Sequence, residues 1–260
     1  MLRTVQATRY VTPLREGGSL PAIVEADDLG LYVVKFRGAG QGPLALVAEL
    51  IAGEIGRALG LNVPELVFIE VDAGLTRNDP DYEIRQLLQA SVGLNLALDY
   101  LPGSTMFDPA ARDKAPADLA SMAVWFDAFV TNIDRTASNP NLLVWHKALY
   151  FIDHGAALYF HHNWQSLDQM AQSAFPAVKK HLLLRWASNL QQAEAEALSK
   201  LDESVFARIL DQVPEAWLAP NPGDGDASGR RAGYQRFLTE RLAASASFTE
   251  EARRARSELV

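Results

Sequence analysis

A chain of 260 residues, 48% hydrophobic and 22% charged, is long enough for one large domain or two lobes around a cleft and too apolar for wholesale disorder. With no cysteine, a net charge of −8 and no stripe of Lys and Arg, it offers no disulfide, thiolate metal site, cysteine nucleophile or nucleic-acid footprint. No apolar run nears the roughly 20 residues that span a bilayer, and the stretch Met1 to Gln6 lacks the apolar core of a secretion signal, so a cytoplasmic protein without a membrane span is expected.

Residues 2–36 read as three strands. Val5, Ala7, Arg9 and Val11 alternate weakly with polar neighbours, the stretch from Leu20 to Val24 is apolar, and Leu31-Tyr32-Val33-Val34 ends at Lys35-Phe36. Gly17-Gly18-Ser19 separates the first two strands, and residues 25–30 have hairpin composition. A helix follows from about Pro43 to Leu59, with Leu46, Val47, Leu50, Ile51, Ile55, Ala58 and Leu59 in a stripe and Gly60 as its C-cap. Residues 66–71 form a fourth strand. This order suits the small antiparallel lobe, with one helix, of a protein-kinase-like fold.

Residues 73–81 read as a loop and 82–90 as a short helix. Residues 95–103 are apolar, then break on Pro102-Gly103, as an inter-lobe linker would. The boundary falls there, giving residues 1–98 and 99–260. Beyond it, Asp118 to Val130 is an apolar helix carrying Trp125, Phe126 and Phe129, the expected centre of a larger, mainly helical lobe. From Ser166 onward the pattern is helical, interrupted by an exposed loop at 220–225. The fold class is therefore α+β in two lobes.

The chemistry concentrates in Asn132-Ile133-Asp134-Arg135-Thr136-Ala137-Ser138-Asn139-Pro140-Asn141 and, beyond a short hairpin, Asp153-His154-Gly155. Pro140 blocks a helix, so a loop is presented at the end of a buried element. Phosphoryl transfer from ATP needs a carboxylate at the attacking hydroxyl, here Asp134, and an amide plus a carboxylate for Mg²⁺, here Asn139 and Asp153. Asn141 is a second amide nearby, suited to structural hydrogen bonding. Lys35 can lay its stem on the core and bring its ammonium to phosphate oxygens. Glu49 aligns with Gly53 and Gly56 on a face that another element can approach closely, so it needs a cation, and Lys35 is the natural one. Gly17-Gly18-Ser19 and the 38–42 cluster could bring backbone N–H groups to an anion. Ordinary alternatives exist for each: a surface lysine, a solvated glutamate, Asx turns, a turn-capping aspartate, and glycine turns between strands. His161-His162 lack the spacing of a zinc helix and are read as packing or surface residues, and His154 as a group that orients Asp153.

With these motifs in hand, the chain resembles the HipA-like kinases, through Val33-Val34-Lys35-Phe36, the Glu49 helix ahead of Gly60-Leu61-Asn62-Val63-Pro64, the Asp134-to-Asn139 loop, and Phe151-Ile152-Asp153-His154-Gly155. The resemblance implies that Lys35 binds the ATP phosphates and pairs with Glu49, that Asp134 is the catalytic base, and that Asn139 and Asp153 bind Mg²⁺. It also implies that adenine lies against the backbone near Asp99, Tyr100 and Leu101. Toxin members carry Gly-His after the catalytic Asp, whereas this chain has Arg135-Thr136, so the toxins' protein substrate and neutralising partner are not carried over. The expected activity is ATP- and Mg²⁺-dependent transfer to a hydroxyl, foremost Ser/Thr of a protein, itself included through Thr131, Thr136 or Ser138. A small-molecule or lipid kinase and a nucleotide-binding pseudokinase scaffold are the alternatives, and the oligomeric state is open.

Overall fold

A computed structural model of the chain describes residues 1–14, 20–40, 42–75, 81–111, 113–219 and 225–259. Gly17, Gly18, Ser19, part of the 73–81 loop and most of the 220–225 loop lie outside the described residues.

The first three strands are β1 (Thr4–Pro13), β2 (Ala22–Ala26) and β3 (Leu31–Lys35), paired antiparallel in that order. Between β2 and β3 the chain reverses with Leu29 in a left-handed conformation (φ 64°), and the Ala26 N–H donates to the Gly30 carbonyl at 3.0 Å. Helix α1 (Gly42–Leu59) ends where the stripe predicts. Gly60 takes φ 91°, its N–H donates to Arg57 O and the Leu61 N–H to Gly56 O, a Schellman stop that a residue with a Cβ would strain. Strand β4 (Leu66–Val71) follows, then α2 (Tyr82–Ala90), whose first turn is capped by the Asp81 carboxylate accepting from Glu83 N–H at 2.9 Å.

The stretch predicted as a linker is instead largely a strand, β5 (Gly93–Asp99), lying between β3 and β4. Its period of two is present, with Leu94, Leu96 and Leu98 alternating with Asn95, Ala97 and Asp99, and both faces are covered: Leu96 and Leu98 enter one core while Ala97 enters another. A second correction concerns the sheet, which is not purely antiparallel. The strands close into a barrel, β1-β2-β3-β5-β4, through a parallel pair joining Thr4, Val5 and Gln6 to Phe68, Ile69 and Glu70. Among the described residues the barrel stretch also carries two helices rather than one.

After β6 (Thr105–Met106) comes α3 (Ala117–Phe129), buried on every side from Ala120 onward, which makes it the central helix of the chain beyond the barrel. Strands β7 (Leu142–Trp145) and β8 (Ala148–Phe151) form a hairpin with both turn residues, His146 and Lys147, at positive φ. The remainder is helical: α4 (Leu167–Ala171), α5 (Leu190–Lys200), α6 (Glu203–Leu210), α7 (Glu215–Leu218), α8 (Ala227–Ala243) and α9 (Ser245–Ser257).

Two cores result. Val5, Val24, Val34, Val67, Ile69 and Ala97 fill the barrel, closed by Ile84 and Leu88 of α2. The larger core joins α1 and the outer barrel residues Leu66, Phe68, Leu96 and Leu98 to α3, the hairpin and the C-terminal helices. Each buried Leu, Ile or Val of α1 is worth roughly 1.5–3 kcal/mol there. Phe68 meets Trp217 edge-on at 5.7 Å, and the Lys200 ammonium caps the end of α1 through Leu59 O at 2.7 Å. The helix bearing Glu49 is thereby anchored in the helical part of the molecule while it faces β3. No helix among the described residues is long and apolar enough to cross a membrane.

Candidate active site

Lys35 is the last residue of β3, held in register opposite Leu96 of β5. Its ammonium lies 2.7 Å from Glu49 Oε2 and also contacts Asp153 Oδ1, although 118 positions separate it from that aspartate. Glu49 is fully buried, because Gly53 and Gly56 let its helix press onto Leu66, Val63 and Phe126. Its carboxylate is satisfied twice more, by the His154 N–H at 2.7 Å and by His154 Nδ1 at 3.3 Å. Burial alone would raise this carboxyl, but the Lys35 ammonium and the His154 contacts prevail and hold it down at about 2. Burial likewise disfavours the Lys35 ammonium, and Asp153 and Glu49 reverse that, so it stays firmly protonated. Glu54, by contrast, turns outward to Arg57 at 3.3 Å.

Asp153 leaves β8 in a left-handed conformation, φ 57°, with its side chain about half exposed (48%) toward the Lys35 side. Lys35, Phe36, Ala39, Gly42, Ala45, Leu46, Asp153 and Gly155 enclose a cavity of about 20 Å³, room for a single water. The larger concavity, about 700 Å³, lies between Leu20, residues 38–40 and α2, and neither Lys35 nor any of the loop acids lines it. Gly38 is explained there by packing rather than by a ligand: a Cβ would come within 2.6 Å of Ala90.

Asp134 is half-buried, and its N–H donates to Asn132 Oδ1 at 3.1 Å. The amide that reaches it is Asn141, whose Nδ2 is 3.4 Å from Asp134 Oδ2 and 3.5 Å from the Asp153 carbonyl. Asn139 instead closes a tight turn through its backbone, accepting from Thr136 N–H at 3.0 Å and donating to Thr136 O at 3.2 Å. Five residues from the acid, Asn139 has the spacing, but Asn141, buried at φ 45°, has the contacts.

Behind the loop sits a group that sequence reasoning misses. Arg135, Asp127 of α3 and His181 are all buried, with Arg135 Nε 2.6 Å and His181 Nε2 2.8 Å from Asp127 Oδ2. A carboxylate inside the apolar run of α3 is a legible sign that some cation must meet it. At the end of β5, the Asp99 N–H donates to Glu65 O and the Tyr100 N–H to Leu31 O, both at 2.9 Å, while Leu101 O accepts from Ser104 N–H. Two of the three linker amides named from the resemblance thus already have acceptors. Gly17, Gly18 and Ser19 are outside the described residues.

A family model described as HipA-like kinase matches residues 8–242, so the chain belongs to that family, a family of phosphotransferases. Among solved structures it is similar to the Helicobacter pylori proinflammatory kinase CtkA, with 14% identity and a TM-score of 0.54, over 92% of this chain and 94% of that one. It is also similar to the Golgi casein kinase solved with Mn/ADP bound, with 11% identity and a TM-score of 0.51, over 96% of this chain and 73% of that one. At such identities the likeness shows a kinase fold and nothing finer. No curated protein matches.

Proposed function

We propose that this HipA-like kinase uses ATP and a divalent cation, Mg²⁺ foremost, to transfer the γ-phosphoryl group to a Ser/Thr hydroxyl of a protein, its own chain included. The observation that carries the reading is the convergence of Lys35, Glu49 and Asp153 at one point, with Asp134 joined to the Asp153 segment through Asn141. In this reading residues 1–98 are the lobe that holds the nucleotide phosphates and residues 99–260 the lobe that carries the loop and the metal ligands.

The donors suit a hard cation. Asp134, Asp153 and the amides of Asn139 and Asn141 offer oxygen, and among the described residues no group of three His, Cys, Asp or Glu forms a closed metal cage. Mg²⁺ commonly takes one or two carboxylates and completes its shell with waters and substrate phosphates, so an open set of this kind supports metal arriving with the nucleotide. Bound there, the cation would neutralise charge on the β- and γ-phosphate oxygens. Asp153 and the amide of Asn141, favoured over Asn139 by its two contacts, would hold it. The Golgi casein kinase structure with Mn/ADP supports nucleotide and metal use in this fold.

Lys35 then supplies a fixed positive charge to the phosphate oxygens, and Glu49 keeps the ammonium aimed, being itself pinned by His154. Asp134 accepts the proton of the attacking hydroxyl, within reach of an acceptor because its side chain is only half-buried. Adenine would lie against the linker after β5, using carbonyls there or Leu101, since the Asp99 and Tyr100 amides are engaged. Gly17, Gly18 and Ser19 would complete the phosphate contacts.

The purified chain incubated with labelled ATP, Mg²⁺ and protein acceptors should transfer label to Ser/Thr, and Asp134→Asn should lower turnover about 10²–10⁴-fold. Nucleotide binding with no transfer to any acceptor would leave a scaffold and defeat the reading, and an Asp134→Asn variant as active as an active parent would remove Asp134 from the role of base.

A further inference from the structure

We infer that Arg135, backed by Asp127 and His181, is the positioning unit of this site: one buried guanidinium fixes the backbone segments from which Asp134, Asn141 and Asp153 project. The inference rests on the function proposed above, which leaves these three residues without a role.

The connections are specific. Arg135 directly follows Asp134 in the chain, its Nη1 donates to the carbonyl of Asn141, and the same Nη1 lies 3.4 Å from the carbonyl of Ile152, the residue before Asp153. Its other edge faces Asp127, with Nε 2.6 Å from Oδ2 and Nη2 3.4 Å from Oδ1. Asp127 is held in turn by Asn132 Nδ2 at 2.9 Å and His181 Nε2 at 2.8 Å. Leu183 N–H donates to His181 Nδ1 at 3.0 Å, so the imidazole hydrogen sits on Nε2 and points at the carboxylate. The Leu182 N–H closes the circuit on Arg135 O at 3.0 Å. The guanidinium also lies over the Phe151 ring, 5.2 Å from its centre.

Stability alone is a poor reason for this arrangement. A buried ion pair is commonly no better for folding than apolar side chains of the same volume. What a forked cation does that leucine cannot is bind two separate carbonyls and a carboxylate at once. The two carbonyls lie at and next to residues in the left-handed region, Asn141 at φ 45° and Asp153 at φ 57°. Asn and Asp enter this region more readily than other non-glycine residues, but it still costs them energy, and bonds to the flanking carbonyls help hold them there. Asp127, Arg135 and His181 are therefore positioning residues, acting on metal and hydroxyl through the three side chains they aim.

The test separates positioning from folding. Arg135→Met combined with Asp127→Leu removes both buried charges together, while His181→Gln removes only the outermost support. Mn²⁺ binding with a non-hydrolysable ATP analogue, followed by electron paramagnetic resonance, is measured beside melting temperature, kcat and the Mg²⁺ dependence of turnover. The double variant should stay folded yet bind Mn²⁺ about 10–100-fold more weakly, with kcat falling in step and partly restored at high Mg²⁺, and His181→Gln should show a smaller loss of the same kind. A folded double variant with Mn²⁺ affinity and kcat within about threefold of the parent overturns the inference. Should the double variant not fold, Arg135→Lys decides: it keeps the charge facing Asp127 but loses the fork, so undiminished Mn²⁺ affinity refutes the role. A parent chain that neither binds Mn²⁺ with nucleotide nor transfers phosphate brings down the proposed function itself, whereas an active parent with indifferent variants brings down only the positioning role.

Discussion

Lys35→Met strips the Glu49 carboxylate of its ammonium while keeping most of the volume of the lysine stem. Glu49 is wholly shielded from solvent and Lys35 nearly so, with 13% of its side chain exposed. Removing one partner of a buried pair typically costs about 3–5 kcal/mol, because the other charge stays behind uncompensated. The His154 N–H, 2.7 Å away, still serves the carboxylate and argues for the lower end, near 3 kcal/mol. In a chain of this size that is roughly 6–12 °C in melting temperature. The pH dependence identifies the cause. In the parent the Glu49 carboxyl is depressed from 4.5 to about 2, so its stabilising contribution is complete above about pH 4.5 and fades as pH falls toward 2. In the variant burial remains and the ammonium does not, so the carboxyl moves above its unfolded value and the folded state recovers stability as acid protonates it. Urea denaturation of both proteins from neutral pH to about pH 4.5 should therefore show a gap that narrows on acidification. Equal stabilities at neutral pH, or a gap that stays constant or widens, would refute the account of Lys35 as the counter-ion of Glu49.

Asn141→Ala should weaken Mn²⁺ binding in the presence of an ATP analogue by about tenfold or more, and Asn139→Ala by no more than about threefold; the reverse ranking would return the metal amide to Asn139. His161, hydrogen-bonded to Tyr234 Oη at 2.9 Å, is held neutral by burial and then by His162, its imidazole lowered from 6.5 to about 3. The unfolded chain takes up that proton first, so the parent should lose up to roughly 5 kcal/mol between pH 6.5 and 3 from this group, and His161→Asn, which keeps an acceptor for Tyr234, correspondingly less; parallel pH curves for the two in chemical denaturation would exclude it.

Helix α1 is legible in the spacing of its large apolar residues and in its stop at Gly60, although Leu46 to Gly53 are all buried, and Lys35 and Asp153 stand out because one ends an apolar strand and the other closely follows one. Strand β5 carries the alternation of a strand in Leu94, Leu96 and Leu98, but an apolar run that breaks on Pro102-Gly103 fits a connection equally well, and the pairing with β3 and β4 decides between them. Spacing likewise cannot choose between two amides two residues apart. What separates them lies in the tertiary structure, in the turn Asn139 forms with Thr136 and in the left-handed backbone at Asn141. Asp127 is conspicuous as a carboxylate in an apolar helix, but nothing in periodicity names Arg135 or His181 as its partners, because the pairing spans 54 positions to His181 and depends on the tertiary path.

Asp153 shows what the two buried charge clusters have in common. The carbonyl just before it is bound by Arg135, itself neutralised by Asp127, and the N–H just after it is bound by Glu49, itself neutralised by Lys35. A left-handed aspartate costs on the order of 1–2 kcal/mol and would relax to an ordinary conformation if either flanking peptide could rotate. Holding both peptides with charged groups makes each hydrogen bond stronger than a neutral one and leaves any rotated state with a buried charged group short of one partner. The conformation that turns the Asp153 carboxylate toward Lys35 is thus set by α1 on one side and by the loop after α3 on the other. Loosening either cluster should be felt at the same side chain, even though Glu49 and Arg135 share no hydrogen bond.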